Sequence, residues 1–141
     1  MKTIAVLIAL LLSQLFYAQT TTSPEIVVSV ENIKNDNGKI IFGIYSENNF
    51  LKAAPEFGAQ SEIVDGVASA TFKDLPPGTY AISCFHDKNG NSQMDFEPTG
   101  MPLEPYGVSN NKIDYYGPPQ WTDAKFELED KSINMTIRLT N

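Results

Sequence analysis

The chain contains a single cysteine and few basic residues. The first scarcity limits its covalent structure, and the second limits the partners that it can bind. Cys84 has no second cysteine to pair with, so an internal disulfide is excluded. Ten lysine and arginine residues stand against 17 aspartate and glutamate residues, which gives a formal net charge of −7 at pH 7. Because an acidic surface repels phosphate groups and anionic lipids, the balance argues against nucleic acid or an anionic membrane as a partner.

Long apolar runs are also scarce, and the one that occurs lies at the N-terminus. Residues 4–12 are apolar, follow the cationic Lys2 and precede Ala18, a small residue suited to signal peptidase. The run is shorter than the roughly 20 residues that span a bilayer, and no cysteine follows it directly to carry a lipid. We therefore predict a signal peptide at 1–18, a flexible segment at 19–24 and a domain at 25–141, secreted or periplasmic and without a stable membrane anchor.

No amphipathic helix of convincing length is present, and the recurring period of the remaining chain is two. Apolar and polar residues alternate in seven short segments, separated by turns rich in Gly, Asn, Asp and Pro. These segments are 26–30, 39–45, 62–64, 67–72, 79–85, 124–128 and 133–139. The pattern predicts an all-β fold, a single antiparallel seven-stranded β-sandwich with hairpins joining the first two pairs, and one long ordered loop at 96–122.

Short oxygen-bearing side chains occupy every second position directly after the fifth predicted strand. They are Asp87, Asn89, Asn91, Gln93, Asp95 and Glu97. Calcium takes six to eight oxygen ligands, and a tight loop supplies them at this spacing. Gly90 is the fourth loop residue, whereas an EF-hand needs glycine at the sixth, so the loop is not an EF-hand. We predict a calcium site of the weak, extracellular kind; an Asx-rich turn without metal is the alternative.

His86 is the only histidine and adjoins this loop. One interpretation makes it the general base of a hydrolase, with Asp87 or Glu104 as the acid. The other makes it a structural residue whose ring hydrogen-bonds the 96–122 loop. A general base also needs a placed nucleophile and an orienting acid, so we favour the structural role. Cys84 is interpreted as a small core residue for the same reason.

The segment 100–121 combines aromatic rings with amide and carboxylate groups, a mixture that suits an extracellular carbohydrate or peptide. The candidate ligand-binding residues are His86, Glu104, Tyr106, Asn110 and Asn111, with Tyr115, Tyr116 and Trp121 nearby. The alternative is a loop that packs its aromatics on the end of the sandwich and satisfies its own backbone through the two asparagines.

Four motifs in order carry a resemblance to a known family. They are Leu75-Pro76-Pro77-Gly78-Thr79-Tyr80, His86-Asp87-Lys88-Asn89-Gly90-Asn91, Gly100-Met101-Pro102 and Tyr106-Gly107-Val108-Ser109-Asn110-Asn111. This series resembles domain of unknown function family 2141 from about Val28 to Leu139, although Ser92 stands where the family commonly has glycine. The resemblance implies a secreted or periplasmic bacterial protein without an established activity. The first motif is also similar to prealbumin-like and collagen-adhesin B-type sandwiches, which implies a prealbumin-like or immunoglobulin-like fold.

Together these patterns favour an exported, non-enzymatic module with a calcium loop and no catalytic residues. A periplasmic hydrolase using His86 and a purely structural domain are the two alternatives.

Overall fold

The computed structural model describes residues 23–140, which form eight β-strands in two sheets. The strands are β1 (Ile26–Val30), β2 (Lys39–Tyr45), β3 (Phe57–Glu62), β4 (Ala68–Phe72), β5 (Gly78–Asp87), β6 (Tyr106–Val108), β7 (Phe126–Leu128) and β8 (Ile133–Ile137). A 3-10 turn (Ser109–Asn111) and a short helix α1 (Trp121–Ala124) lie between β6 and β7. The predicted signal peptide and most of the 19–24 segment lie outside the described residues.

The smaller sheet has the order β4-β1-β8, and the larger sheet has the order β3-β2-β5-β6, with β7 pairing to the start of β5. The all-β prediction is confirmed. The prediction of seven strands is wrong, because the segment 96–122 contains β6, whose three residues are too few to show an alternating pattern. The prediction of purely antiparallel pairing is also wrong, since β1 runs parallel to β8.

The two predicted hairpins are altered in the structure. β1 and β2 lie in different sheets, so the turn at 31–38 crosses between sheets rather than closing a hairpin. In the second pair, Val64 and Val67 form a bridge around Asp65 and Gly66, whose φ angles of 52° and 74° are left-handed as in a tight hairpin turn. Their flanking strands β3 and β4 nevertheless enter different sheets. Alternation identifies strands but carries no information on which sheet they join.

One cluster of buried apolar side chains joins both sheets. β1 and β2 supply its centre, where Ile26, Val28, Val30, Ile40, Phe42 and Ile44 are all 0% exposed. Phe72 and Ile137 are also buried, as expected from the alternation of segments 67–72 and 133–139. The same alternation in segments 124–128 and 133–139 predicts burial of Phe126, Ile133, Met135 and Leu139, but these four are only partly buried and pack at the margin of the cluster. β8 is an edge strand, so its inward side chains have neighbours on one flank only.

A second, smaller cluster covers the opposite face of β5. Phe50 packs edge-on against Tyr45 and Trp121, with ring centroids 5.8 Å apart in each pair. Ala81 of β5 and Val108 of β6 complete the cluster with Ala124 of α1. β5 is therefore covered on both faces around Ala81, and it pairs with three other strands, β2, β6 and β7.

The core assignment predicts the effect of truncating Phe42. Phe42→Ala removes a fully buried ring and should lower the free energy of unfolding by about 3 to 5 kcal/mol. Phe96→Ala is the matched control, because Phe96 is 58% exposed. Urea unfolding followed by fluorescence measures both. Equal losses for the two variants would show that the core is not where these strands put it.

Candidate functional site

The candidate site begins where β5 ends. His86 and Asp87 are the last two residues of β5, and they pair with Ile40 and Lys39 of β2. Both are buried, with exposed fractions of 2% and 0%. A carboxylate at this depth is stable only if hydrogen bonds or a cation compensate its charge.

The loop wraps its backbone around the Asp87 carboxylate. Oδ1 accepts a hydrogen bond from the Gly90 amide (2.8 Å), and Oδ2 accepts one from the Ser92 amide (2.9 Å). Gly90 and Ser92 have φ angles of 75° and 62°, so both are left-handed. Ser92 therefore adopts, at the sixth loop position, the backbone region that glycine enters most easily.

Three further predicted ligands converge beyond this turn. The Oδ1 atoms of Asn89 and Asn91 accept backbone N–H groups two residues on, at 3.1 and 3.0 Å, as in Asx turns. Their Nδ2 groups both donate to the Asp95 carboxylate, with shortest distances of 2.6 and 3.0 Å. Asn89, Asn91 and Asp95 thus share one polar centre.

Glu104 joins the loop from the far side of the 96–102 turn. It is buried, its Oε1 accepts the Lys88 amide (2.9 Å), and its Oε2 accepts the Asp95 amide (3.3 Å). Leu103 also donates its amide to the Asp95 carbonyl (2.8 Å). The sequence predicted Glu104 to lie on a ligand-binding surface, whereas in the structure its carboxylate joins Lys88 at the start of the loop to Asp95 further along it. Nothing in the loop spacing could indicate a partner 16 residues away.

The side chains of Gln93 and Glu97 make no hydrogen bond to this centre; Gln93 reaches it only through its backbone amide, which donates to Asn91 Oδ1. Both side chains are exposed. Glu97 accepts the Thr99 hydroxyl (3.3 Å), and its amide donates to the Met101 carbonyl (2.8 Å), so it belongs to the separate turn at 97–101.

The side-chain atoms that could bind a metal ion here are oxygens, which suits a hard cation such as calcium. Within residues 23–140, no three His, Cys, Asp or Glu side chains are grouped closely enough to hold one metal ion. A cation here would therefore depend on Asp87 and Asp95 together with amide or backbone oxygens. The hydrogen bonds now present are those of an Asx-rich turn, and calcium would compete with the amide donors for the Asp95 carboxylate.

The His86 ring hydrogen-bonds to a different loop from the one predicted from the sequence. Its Nε2 lies 2.5 Å from the Asn37 carbonyl, so the ring holds the 31–38 turn, and only its backbone amide reaches the long loop, at Pro105 (2.9 Å). The prediction that the ring pins 96–122 is wrong, because pairing of β2 with β5 places residue 37 beside the strand end. The ion pairs of the described residues are Lys73 with Glu25 and Lys112 with Asp123, so neither Asp87 nor Glu104 is paired with His86.

The candidate ligand-binding asparagines are used inside the protein. Asn110 Nδ2 donates to the carbonyls of Asp123 and Lys125, both at 2.9 Å. Asn111 Nδ2 donates to the Thr136 carbonyl (3.0 Å), and its Oδ1 accepts the Arg138 amide (2.8 Å). The segment is thereby fastened to α1 and β8, and an added ligand would have to compete with these bonds.

The aromatic residues of the same segment divide into two groups. Tyr106 is half-buried opposite Phe85, and burial raises the pKa of its hydroxyl, with a smaller contribution from Tyr115. Trp121 packs on Phe50. Tyr115 and Tyr116 are 87% and 99% exposed, so these two rings are the ones open to a partner.

A sequence profile described as "Uncharacterized protein conserved in bacteria (DUF2141)" matches residues 28–136. The chain belongs to this family. The family description records no activity, and the matched range includes the whole loop and Glu104. No curated protein and no solved structure shows significant similarity to this DUF2141 chain.

Gly38 of this DUF2141 chain tests how closely the 31–38 turn packs on the strand end. A Cβ at Gly38 would clash with the Asp87 carbonyl oxygen, whereas a Cβ at Gly90 would meet nothing within 4 Å. Both glycines are left-handed, with φ of 74° and 75°. Each alanine variant should cost about 1 to 2 kcal/mol for the left-handed backbone, and Gly38→Ala should cost roughly 1 to 3 kcal/mol more for overpacking. Thermal unfolding of the two variants measures the difference, and equal losses would contradict this contact.

The reactivity of the Cys84 thiol tests whether this residue is buried as the structure shows. It is 0% exposed, and burial raises the pKa of its thiol to about 12. Because the thiolate is the reactive form, the native protein should resist iodoacetamide at pH 8 and react at once in denaturant. Mass spectrometry counts the adducts. Rapid alkylation of the native protein would mean that the thiol is accessible and ionised.

Proposed function

We propose that the chain is an exported, non-enzymatic β module whose loop at 87–104 is stabilised by one calcium ion. The observation that carries the proposal is the buried Asp87 carboxylate at the head of a loop of alternating oxygen donors. A prealbumin-like or immunoglobulin-like sandwich is the fold type that we propose, since one core joins its two sheets. Its site of action would be the periplasm or the extracellular medium.

The charge balance of the loop supports a cation. Asp87, Asp95 and Glu104 are linked through one stretch of backbone, and none of them is among the ion pairs of residues 23–140. Removing carboxylates from water costs several kcal/mol per ion unless it is compensated. Each oxygen of Asp87 and Glu104 accepts one backbone amide and can still accept a second partner. Calcium would supply positive charge that backbone amides supply only in part.

Calcium fits this loop better than magnesium does. Calcium tolerates six to eight oxygens in irregular geometry, whereas magnesium demands an octahedral set and retains several waters. Two or three carboxylates give modest charge, so the affinity should be that of extracellular modules, with a dissociation constant of roughly 10⁻⁴ to 10⁻³ M. The ligands that we propose are Asp87, Asn89, Asn91 and Asp95, with Glu104 bracing the loop.

The non-enzymatic proposal rests on the hydrogen bond that the His86 ring already makes to the protein backbone. Its buried ring is engaged with a backbone carbonyl, and no carboxylate is ion-paired with it in the described chain. The Ser109 hydroxyl is likewise buried, where it accepts the Ile82 amide and donates to the Ala124 carbonyl. A hydrolase would need these groups in contact with one another and with substrate.

Calcium should raise the melting temperature of the mature protein. A ligand that binds only the folded state adds about 2.7 kcal/mol at a hundredfold excess over its dissociation constant, which corresponds to a shift of several degrees. Differential scanning fluorimetry in calcium, in magnesium and in chelator measures it. Asp95→Asn should abolish most of the calcium shift, and magnesium should stabilise less than calcium.

Glu97→Gln is the matched control, because it also neutralises one carboxylate of the same region but lies in the separate 97–101 turn. It should retain the full calcium shift. If calcium stabilises wild type and Asp95→Asn equally, or neither, the loop is an Asx-rich turn and the module is structural.

A further inference from the structure

A cavity of about 280 Å³ lies beside the end of β5, where His86 and Lys88 line it. Residues from four separate parts of the chain line it. They include Lys34, Lys88, Arg138 and His86, with Glu31 and Thr140. The cavity therefore gathers the only arginine and the only histidine of the sequence together with two lysines.

The local charge of this cavity is opposite to that of the chain. Three basic residues, Lys34, Lys88 and Arg138, line it against one acidic residue, Glu31, although the whole sequence carries −7. The ion pairs of residues 23–140 use Lys73 and Lys112, so none of the three cavity cations takes part in them. A concentration of positive charge in a concave site of an acidic protein indicates an anionic ligand.

The cavity walls are held in place by the fold. The Arg138 amide donates to Asn111 Oδ1 (2.8 Å), and the Lys88 amide donates to Glu104 Oε1 (2.9 Å). Thr140 and Tyr106 exchange two hydrogen bonds, from the Thr140 amide to the Tyr106 carbonyl (2.7 Å) and from the Tyr106 amide to the Thr140 hydroxyl (3.1 Å). Fixed walls lower the entropy cost of binding, because little has to be ordered when a ligand enters.

The remaining polar groups of the cavity can form hydrogen bonds with hydroxyl groups of a ligand. A carbonyl oxygen can only accept, so His86 Nε2 donates to Asn37 and Nδ1 is the remaining polar atom of the ring, an acceptor when the ring is neutral. Asn32, Asn35 and Thr140 also line the cavity and offer amide and hydroxyl groups. The volume is near the lower end of ligand pockets, which run from about 300 to 1,000 Å³, so it suits a molecule of monosaccharide size.

We propose that this cavity binds a small hydroxylated carboxylate, with a uronic acid as the representative. Arg138 and the lysines would take the carboxylate, since a guanidinium matches its two oxygens, and His86 with the amide groups would take hydroxyls. The site does not rest on calcium, because Lys34 and Arg138 lie outside the loop, and Lys88, which lies within it, has no oxygen in its side chain to offer to calcium.

The test is a titration of the ¹⁵N-labelled mature protein with D-glucuronate at constant ionic strength, followed by amide chemical shifts. It is run once with calcium and once with chelator, so that failure of the calcium proposal is seen separately. Saturable shifts should centre on the amides of Lys34, Lys88 and Arg138. D-glucose, which lacks the carboxylate, should produce none.

Lys34→Gln/Arg138→Gln should weaken glucuronate binding at least about tenfold, because hydrogen bonds to charged groups contribute about 1.5 to 3 kcal/mol. Lys52→Gln/Lys131→Gln is the matched control, since it removes the same charge from exposed residues that do not line the cavity, and it should leave binding unchanged. Lys34→Gln alone, at an exposed position, should weaken binding too and serves if the double variant does not fold.

Three results would overturn the proposal. These are shifts that do not saturate or that centre elsewhere, equal weakening in the control pair, and binding of inorganic phosphate without binding of glucuronate. The last result would assign the cavity to phosphoryl groups instead of carboxylates.

Discussion

The buried carboxylate of Asp87 is the constraint on which the rest of this end of the molecule depends. It lies at the last position of β5, fully removed from water, and its two oxygens are satisfied by amides of Gly90 and Ser92. A buried carboxylate without such partners would cost several kcal/mol. The chain must therefore turn back around Asp87 immediately, and this requirement sets the left-handed backbone at both partners. The strand end, the loop and the turn that packs on them form one unit.

Glu104 extends this unit to the long connection after the loop. By accepting amides from Lys88 and Asp95, it ties the loop's entry to its exit. The carbonyl of the next residue, Pro105, accepts the His86 amide. The connection then continues directly into β6, the edge strand of the larger sheet. The connection is ordered by these polar contacts and by the asparagines that follow, and its exposed tyrosines are not needed to hold it. Removing a single carboxylate here would leave two backbone amides to find new partners.

The sequence predicted what depends on local pattern and missed what depends on distant contacts. Alternation located most strands and the centre of the core, such as Phe42. It could not assign strands to sheets, because a period of two is the same for every sheet, and it could not detect β6, which is too short. At the site, spacing identified Asp87 and its neighbours as one loop. It assigned Glu97 by proximity in the chain, whereas the second buried carboxylate that closes the loop is Glu104, which only the folded path of the backbone brings near.

Lys88 separates two regions of opposite electrostatic character. Its amide belongs to the acidic loop through Glu104, and the residue also lines the basic cavity. The opposite charges of the two regions attract each other across the strand end, and salt screens this attraction because Lys34, Lys88 and Arg138 are exposed. An anion in the cavity would weaken that attraction, and a cation in the loop would weaken it from the other side. A bound cation and a bound anion would attract each other directly, so the two proposed ligands should bind with positive coupling, and linkage requires each to strengthen the other by the same factor.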